Sequence, residues 1–419
     1  MNFIDLFAGA GGLSEGFIRA GFKPVAHVEM DEAACYTLRT RQAYHYLVEN
    51  NKKDIYRSYL RGDINRNELY SYIPEEVKIQ VINLPIGPDN NRKIYSTIDK
   101  QLNGEEVDLI IGGPPCQAYS LAGRARSKTK MEGDPRNHLY LEYAKYLKRY
   151  NPKMFVFENV LGLLSAKGGF YFESMKKEFD SVGSIGYHLK AFRVEANNFG
   201  VLQNRRRIIM IGWRKNLKNI SIPDLETYKE INSYTVNDIF EDLPIIQAGE
   251  GNDKNSTYAK VVNDYLKISG IRNGITELTQ HIARPHSEQD KKIYKIAVEK
   301  WNQKAERLNY NDLPTKLKSH NNISSFTDRF KVVAGNKSFS QTVVAHIAKD
   351  GHYYIHPDIK QNRSITVREA ARLQSFPDDF YFEGIKEGAG RTAAFKQIGN
   401  AVPPLMAFVI SNKIKKSLC

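Results

Sequence analysis

The sequence predicts an α/β protein in which an open sheet flanked by helices carries a second, smaller and irregular domain. Three observations point there. The N-terminal MNFIDLFAGAGGLSEGF places Phe3, Ile4 and Leu6 in a short apolar run, Gly9, Gly11 and Gly12 in a tight turn, and a helix from about Leu13. The stretch Ile110–Ser120 (IIGGPPCQAYS) again begins as an apolar strand, stopped by Gly112-Gly113 and followed by a turn that Pro114-Pro115 stiffens. From about Lys215 to Pro357 the βα alternation gives way to mixed polar, basic and aromatic residues. A chain of 419 residues has room for both parts.

The glycine-rich strand-to-helix turn lets a ligand approach the backbone at the positive end of a helix dipole. A dinucleotide fingerprint requires a third glycine at position 14, and Ser14 stands there, which argues against a nicotinamide or flavin cofactor. Lys23–Asp31 (KPVAHVEMD) reads as the second strand, and Glu29 near its end is suited to accept hydrogen bonds from ribose hydroxyls. Gly62-Asp63-Ile64-Asn65 reads either as the end of a third strand, with Asp63 available to an adenine amino group, or as a surface turn. Residues 66–106 read as a helix and loops over the sheet edge.

Cys116 follows the Gly-Gly-Pro-Pro turn, at the carboxyl end of a strand, where open α/β sheets place their ligands. Alone it reads equally as a nucleophile or as a small buried hydrophobe. The next residues, Gln117–Lys130, hold Arg124, Arg126, Lys128 and Lys130 and no acid, which favours a nucleophile facing a polyanion. Leu139–Tyr150 has helical apolar spacing, and Met154–Val160 (MFVFENV) is a fifth strand ending in Glu158-Asn159. Glu158 should face the same crevice as Cys116, its bland alternative being a structural acid. Arg205, Arg206 and Arg207 then open the last apolar strand, where alternate side chains point in opposite directions.

Within the irregular part, Phe330–Val333, Gln341–Ile347 and His352–Ile355 have strand character. His281, His286, His320, His346, His352 and His356 lack metal-ligand spacing and read as polar or DNA-facing residues, so no metal site is expected. Thr366–Phe376 (TVREAARLQSF) is a helix with Thr366 as N-cap, Glu369 at the capping-box position and Pro377 as its stop. Gln397–Pro404 leads into an apolar helix, Leu405–Ile414, by which the chain returns to the first domain.

The formal charge of +14 favours a nucleic-acid partner. No apolar run reaches the ~18 residues of a membrane span, and no secretory signal opens the chain. Three cysteines (Cys35, Cys116, Cys419) without paired spacing argue against a disulfide framework and for a reducing cytoplasm.

In this order, DLFAGAGG, GGPPCQAYS, ENV, QNRRR, REAARLQSFP and GNAVPP resemble the DNA (cytosine-5)-methyltransferase family, of the bacterial or phage type II modification kind. The resemblance implies a Rossmann-like, S-adenosylmethionine-dependent methyltransferase sheet with a smaller target-recognition domain. It implies a catalytic domain over 1–214, target recognition over 215–365, a supporting helix and hinge over 366–390, and a return segment over 391–419. Phe7, Gly9, Gly12, Glu29, Asp63, Pro115, Leu139 and Asn400 stand where the family contacts S-adenosyl-L-methionine. Cys116, Glu158, Arg205 and Arg207 stand where it acts on the base.

The chemistry calls for those residue types. C5 of cytosine is a poor nucleophile until a thiolate adds at C6, and a free thiol with pKa ~8.5 needs help to ionise, here from Arg205 and the loop dipoles. Glu158 would protonate N3 and Arg207 would hold O2. Because C6 is unreachable in a stacked duplex, the base must flip out, at a cost of a few kcal/mol. The expected partner is double-stranded DNA, with a cognate restriction endonuclease acting separately and the enzyme itself a cytoplasmic monomer. With the first motif at Phe3, no N-terminal regulatory domain is expected. The rival readings are a tRNA cytosine-5 methyltransferase on the same fold, which shares the motifs, and a non-catalytic DNA-binding protein, which predicts loss of residue 116, 158 or 207. An exocyclic-amine methyltransferase would not need the cysteine.

Overall fold

In the computed structural model the described residues are 1–115, 138–218, 220–230, 233–318, 326–388 and 390–418. The first lobe alternates as expected: β1 (Asn2–Leu6), α1 (Gly12–Arg19), β2 (Lys23–Glu29), then α2 (Glu32–Glu49), α3 (Lys53–Arg61), α4 (Arg66–Ser71) and α5 (Glu75–Ile79) before β3 (Val81–Asn83). It continues with α6 (Pro88–Leu102), β4 (Leu109–Gly112), α7 (Leu139–Tyr150), β5 (Met154–Asn159), α8 (Phe170–Ser181), β6 (Tyr187–Glu195) and β7 (Arg206–Arg214). These strands form one seven-stranded sheet in the order β3-β2-β1-β4-β5-β7-β6, and β7 runs antiparallel to both its neighbours.

Strand alternation builds a core on each side of the sheet. Ile4, Leu6, Ile110, Phe155 and Phe157 face Tyr143, Ala144 and Leu147 of α7 and Met175 and Phe179 of α8. Phe3, Leu109, Ile111, Met154 and Val156 face Leu13 and Phe17 of α1. The strand order reverses between β1 and β4, so the crevice at their carboxyl ends is where such a sheet takes a ligand.

The third strand corrects the sequence reading. It is Val81–Asn83, inside the segment expected to be a helix and loops, and Gly62–Asn65 is a turn between two helices. Gly62, at φ 83°, ends α3, and Asn65 starts α4 with a capping box to Glu68. The turn satisfies its own backbone, so nothing in it joins the sheet.

The second lobe has little regular structure among its described residues: a two-stranded pair, β8 (Gly251–Asn252) with β9 (His281–Ile282), and the helices α9 (Asp264–Ile268) and α10 (Glu288–Lys304). The three expected strands there reduce to isolated bridges, Val332 with Ile355 and Ile355 with Ser364, while Ala345–Ala348 is a 3-10 turn. His281 and His356 are buried and His286 and His352 half-buried, bonded to Thr366, Ser364 and Tyr294 or beside Glu369, and His320 lies outside the described residues.

Helix α11 (Val367–Leu373) has the expected Thr366–Glu369 capping box. Its fully buried Arg372 is paired with Asp242 and Asp378, and Arg368 donates to the Thr279 carbonyl at 3.0 Å. α12 (Arg391–Asn400) and α13 (Pro404–Leu418) then bring the chain back to the sheet. A methyl group on Gly16 of α1 would lie 2.4 Å from Ala407 Cβ, and Ser411 Oγ donates to the Gly16 carbonyl at 3.1 Å, so only a glycine lets α1 and α13 pack this closely.

Candidate active site

The crevice has two halves. In the first, β1 ends in a left-handed turn: Phe7 has φ 59°, Gly9 56° and Gly11 83°. A left-handed phenylalanine is strained, of order 1–3 kcal/mol, and such strain clusters at ligand sites. The turn is fixed by Glu29, whose Oε2 accepts from the Gly9 amide at 2.8 Å while Oε1 accepts from the Met30 and Asp31 amides, each at 2.8 Å. Burial holds the Glu29 pKa above the ordinary carboxylate value, and those amides offset only part of that rise. Oε1 is filled by its two amides, and Oε2 retains a lone pair for a hydroxyl donor; beside Gly9 the space is open, with nothing within 4 Å of where a Cβ would stand.

The return segment closes this half. A Cβ on Gly12 would fall 2.2 Å from the Val402 carbonyl oxygen, so Ala401 and Val402 lie directly on the glycine turn, and exposed Asn400 sits at the adjoining end of α12. Lys396 of α12 reaches Asp31 at 2.8 Å and ties the return segment to α2. Leu139, half-buried, is the first residue of α7.

Two residues that sequence reasoning missed complete the rim. Asn83, at the end of β3, donates from Nδ2 to the carbonyls of Glu29 (3.2 Å) and Met30 (3.1 Å). Met30 is 65 % exposed, an apolar side chain next to Glu29 and tied by its carbonyl to Asn83. Asp63 is not there: it lies in the α3–α4 turn, half exposed and paired with Arg61 at 2.8 Å. A carboxylate oxygen free to accept from a ribose hydroxyl, an amide oxygen at the next strand end free to accept from an amino group, and an apolar face together fit the adenosine portion of S-adenosylmethionine.

The second half lies at the ends of β4 and β5. Gly112 is paired with Phe157, which sets Gly113 beside Glu158. A Cβ at Gly113 would meet the Glu158 carbonyl oxygen at 2.3 Å and its Oε2 at 2.8 Å. Asn159 donates to the Pro114 carbonyl at 3.3 Å and so fastens the chain just before the exposed Pro115. Cys116 and the basic residues 124–130 lie outside the described residues. From β7, Arg207 donates through Nε to Glu158 Oε1 at 2.6 Å, both side chains being mostly buried.

Arg205 departs from expectation. It precedes β7 instead of lying in it, so strand alternation does not aim it at the crevice. It is fully buried and donates to the carbonyls of Val343 (2.9 Å) and Gly399 (3.1 Å), joining the second lobe to α12. Gln203 does the same, accepting from the Val343 amide at 2.9 Å and donating to the Leu373 carbonyl at 2.8 Å. The QNRRR stretch is therefore a joint between lobes that presents Arg207 to Glu158.

A family model described as C-5 cytosine-specific DNA methylase matches residues 1–67 and 81–416. The type II methyltransferase M.Bpa9945I of Bacillus paralicheniformis is 41 % identical over 446 residues, covering 99 % of this chain and 98 % of that protein. The type II methyltransferase M.DdeI of Desulfomicrobium norvegicum is 31 % identical over 430 residues, covering 99 % and 88 %. The fold is shared with a prophage-encoded E. coli protein assigned as a DNA modification methyltransferase, at a TM-score of 0.64, 24 % identity and coverage of 100 % and 99 %.

Proposed function

Because the chain belongs to the C-5 cytosine-specific DNA methylase family and is a DNA (cytosine-5) methyltransferase of the type II kind, we propose that it methylates one cytosine within a specific duplex sequence, flipped out of the helix, through a covalent Cys116–C6 adduct. The observation that carries this reading is the Arg207–Glu158 pair at the end of β5, with only β4, whose end leads to Cys116 in the sequence, between it and β1 with the Glu29–Gly9 turn.

Glu29 would accept from a ribose hydroxyl of S-adenosylmethionine through Oε2, with Asn83 taking the role first given to Asp63 toward the adenine amino group. Phe7, Gly9, Gly12, Pro115, Leu139 and Asn400 would line the rest of that site. The bound molecule supplies an electrophilic methyl group on a sulfonium.

Cys116 Sγ, as thiolate, forms a bond to C6, and the ring electrons move toward N3 and O2. Glu158 gives N3 a proton or a hydrogen bond and Arg207 holds O2. C5, now enamine-like, takes the methyl group. A base then removes the C5 proton, the C6–S bond breaks with its electrons on sulfur so that Cys116 leaves as thiolate, and N3 returns any proton it took to Glu158. Arg205 serves this sequence as a positioning residue, by holding the segment that carries Arg207.

Residues 215–365 would read the DNA sequence, 366–390 would support them, and 391–419 would complete the catalytic domain formed by 1–214. The enzyme would work as a monomer in the cytoplasm, protecting DNA against a separate cognate restriction endonuclease. The test is to methylate a mixed-sequence plasmid with the purified chain and S-adenosylmethionine, then sequence it after bisulfite treatment. Protected cytosines at one recurring sequence are the expected result. An unmodified plasmid alongside a methylated tRNA would overturn the duplex assignment.

A further inference from the structure

Arg284 follows β9 and is 8 % exposed, yet among the described residues no carboxylate is paired with it. One terminal nitrogen donates to the Ile347 carbonyl, and Nε is buried without a hydrogen-bond partner. Its guanidinium lies over the ring of Phe395 in α12, 4.6 Å from the centroid. Arg391 is four residues before Phe395, hence on the same face of α12, one turn nearer the N-terminus. The two positive groups therefore crowd one helix face. Burial first, and then the charge of Arg391, push the Arg284 pKa down to about 10.

The nearby acid is already engaged: Asp350 is paired with Arg329 and accepts from the His352 amide at 3.1 Å. The N-terminus of α12 adds its own positive pole, since Gly390 offers no side-chain cap. A buried cation beside a like charge is costly unless an anion joins it. Three other buried arginines have one: Arg41 has Glu15 and Asp379, Arg363 has Glu369, and Arg372 has Asp242 and Asp378.

We propose that Arg284 and Arg391 form a phosphate clamp that takes one backbone phosphodiester of the substrate duplex. Guanidinium forks match phosphate oxygens in geometry and remain charged on contact. The clamp lies at the seam where α12 of the return segment meets the Ala345–Ala348 turn of the second lobe, so a phosphate held there would fix the duplex relative to both. This inference rests on the DNA reading above and adds a named contact to it.

The test is duplex binding by the full chain over a range of salt concentrations, which needs no turnover. Exposed Arg391→Gln should weaken binding to all duplex sequences alike and reduce the log–log salt slope by about 1, the value for one lost phosphate contact. Arg391→Lys should recover most of the slope. Lys416→Gln in α13, which removes an equal charge elsewhere, should leave the slope unchanged, and all three should bind S-adenosylmethionine as the parent does. Arg284→Gln, if it folds, should match Arg391→Gln; if it does not, Arg391→Gln decides. A salt slope unaltered by Arg391→Gln overturns the proposal. So does stabilisation of the parent, but not of Arg391→Gln, by inorganic phosphate with no change in the duplex slope, since the clamp would then hold a free phosphate. A parent chain that never methylates DNA, while the slope still falls as stated, would refute the functional reading and leave the clamp standing.

Discussion

Arg207 donates from Nε to Glu158 Oε1 at 2.6 Å, across the antiparallel pairing of β7 with β5. The pair holds the carboxyl group at a fixed point beside Gly113, and neither oxygen of Glu158 bonds an element of the Gly9 turn. Glu158→Gln should therefore lower the methylation rate by ~10²–10⁴, the usual worth of a general acid, and leave S-adenosylmethionine affinity intact. Single-turnover rates and calorimetric cofactor binding check this, and an equal loss of both would make Glu158 structural. Gly113→Ala, whose new methyl would press on the Glu158 backbone, should show the same split.

Asn83 and Asp63 make opposite predictions. Asn83→Ala removes the amide at the end of β3 beside Glu29 and should weaken S-adenosylmethionine binding at least severalfold. Asp63→Ala removes an exposed ion pair with Arg61, worth ~0–1 kcal/mol, and should leave cofactor binding unchanged. Equilibrium binding of the two variants decides between them.

Much of this geometry is legible in the sequence, and the misses have physical causes. The strand that ends in Glu158, the α7 helix and the Thr366–Glu369 cap follow from apolar spacing and capping chemistry, which are local. The β3 strand does not, because three residues are too few to show a period, and four helices precede it after β2. In Gly62–Asn65 the helix stop and start signals were present, a glycine followed by an asparagine N-cap. Arg205 could not be separated from Arg207 by sequence, since its partners are the carbonyls of Val343 and Gly399, 138 and 194 residues away.

Burial holds His286 and His356 neutral, lowering each pKa to about 4. Unfolded, each would titrate near ~6.5, so between those values the unfolded chain binds more protons than the folded one. Stability should be full above about pH 6.5 and fall as the pH drops toward 4, by a few kcal/mol in all. Urea midpoints should move down between neutral pH and pH 5, and His356→Gln should flatten that dependence. Midpoints that rise on acidification would contradict the burial of these rings.

Ser340–Ala348 is bound to the catalytic lobe, with the Ser340 carbonyl accepting from the Asn204 amide at 2.9 Å and Gly399 too close to Ala345 for any side chain. Exchanging residues 233–318 for those of a relative with another specificity should therefore transfer the recognised sequence while keeping activity. Exchanging 340–348 as well should lower the rate. Bisulfite sequencing of plasmids treated with each hybrid reads both, and an active hybrid that still methylates the original site would refute the assignment.

The most direct test of the covalent mechanism is to trap the adduct. Fluorine at C5 leaves no proton to remove after methyl transfer, so duplex DNA with 5-fluorocytosine at the target should form a denaturation-resistant complex only when S-adenosylmethionine is present. Peptide mass mapping should place the bond on Cys116 and not on Cys35, which is buried with its thiol pKa pushed up to about 12. Cys116→Ser should abolish the complex. A complex that survives loss of that sulfur, or one linked at another residue, would contradict the mechanism.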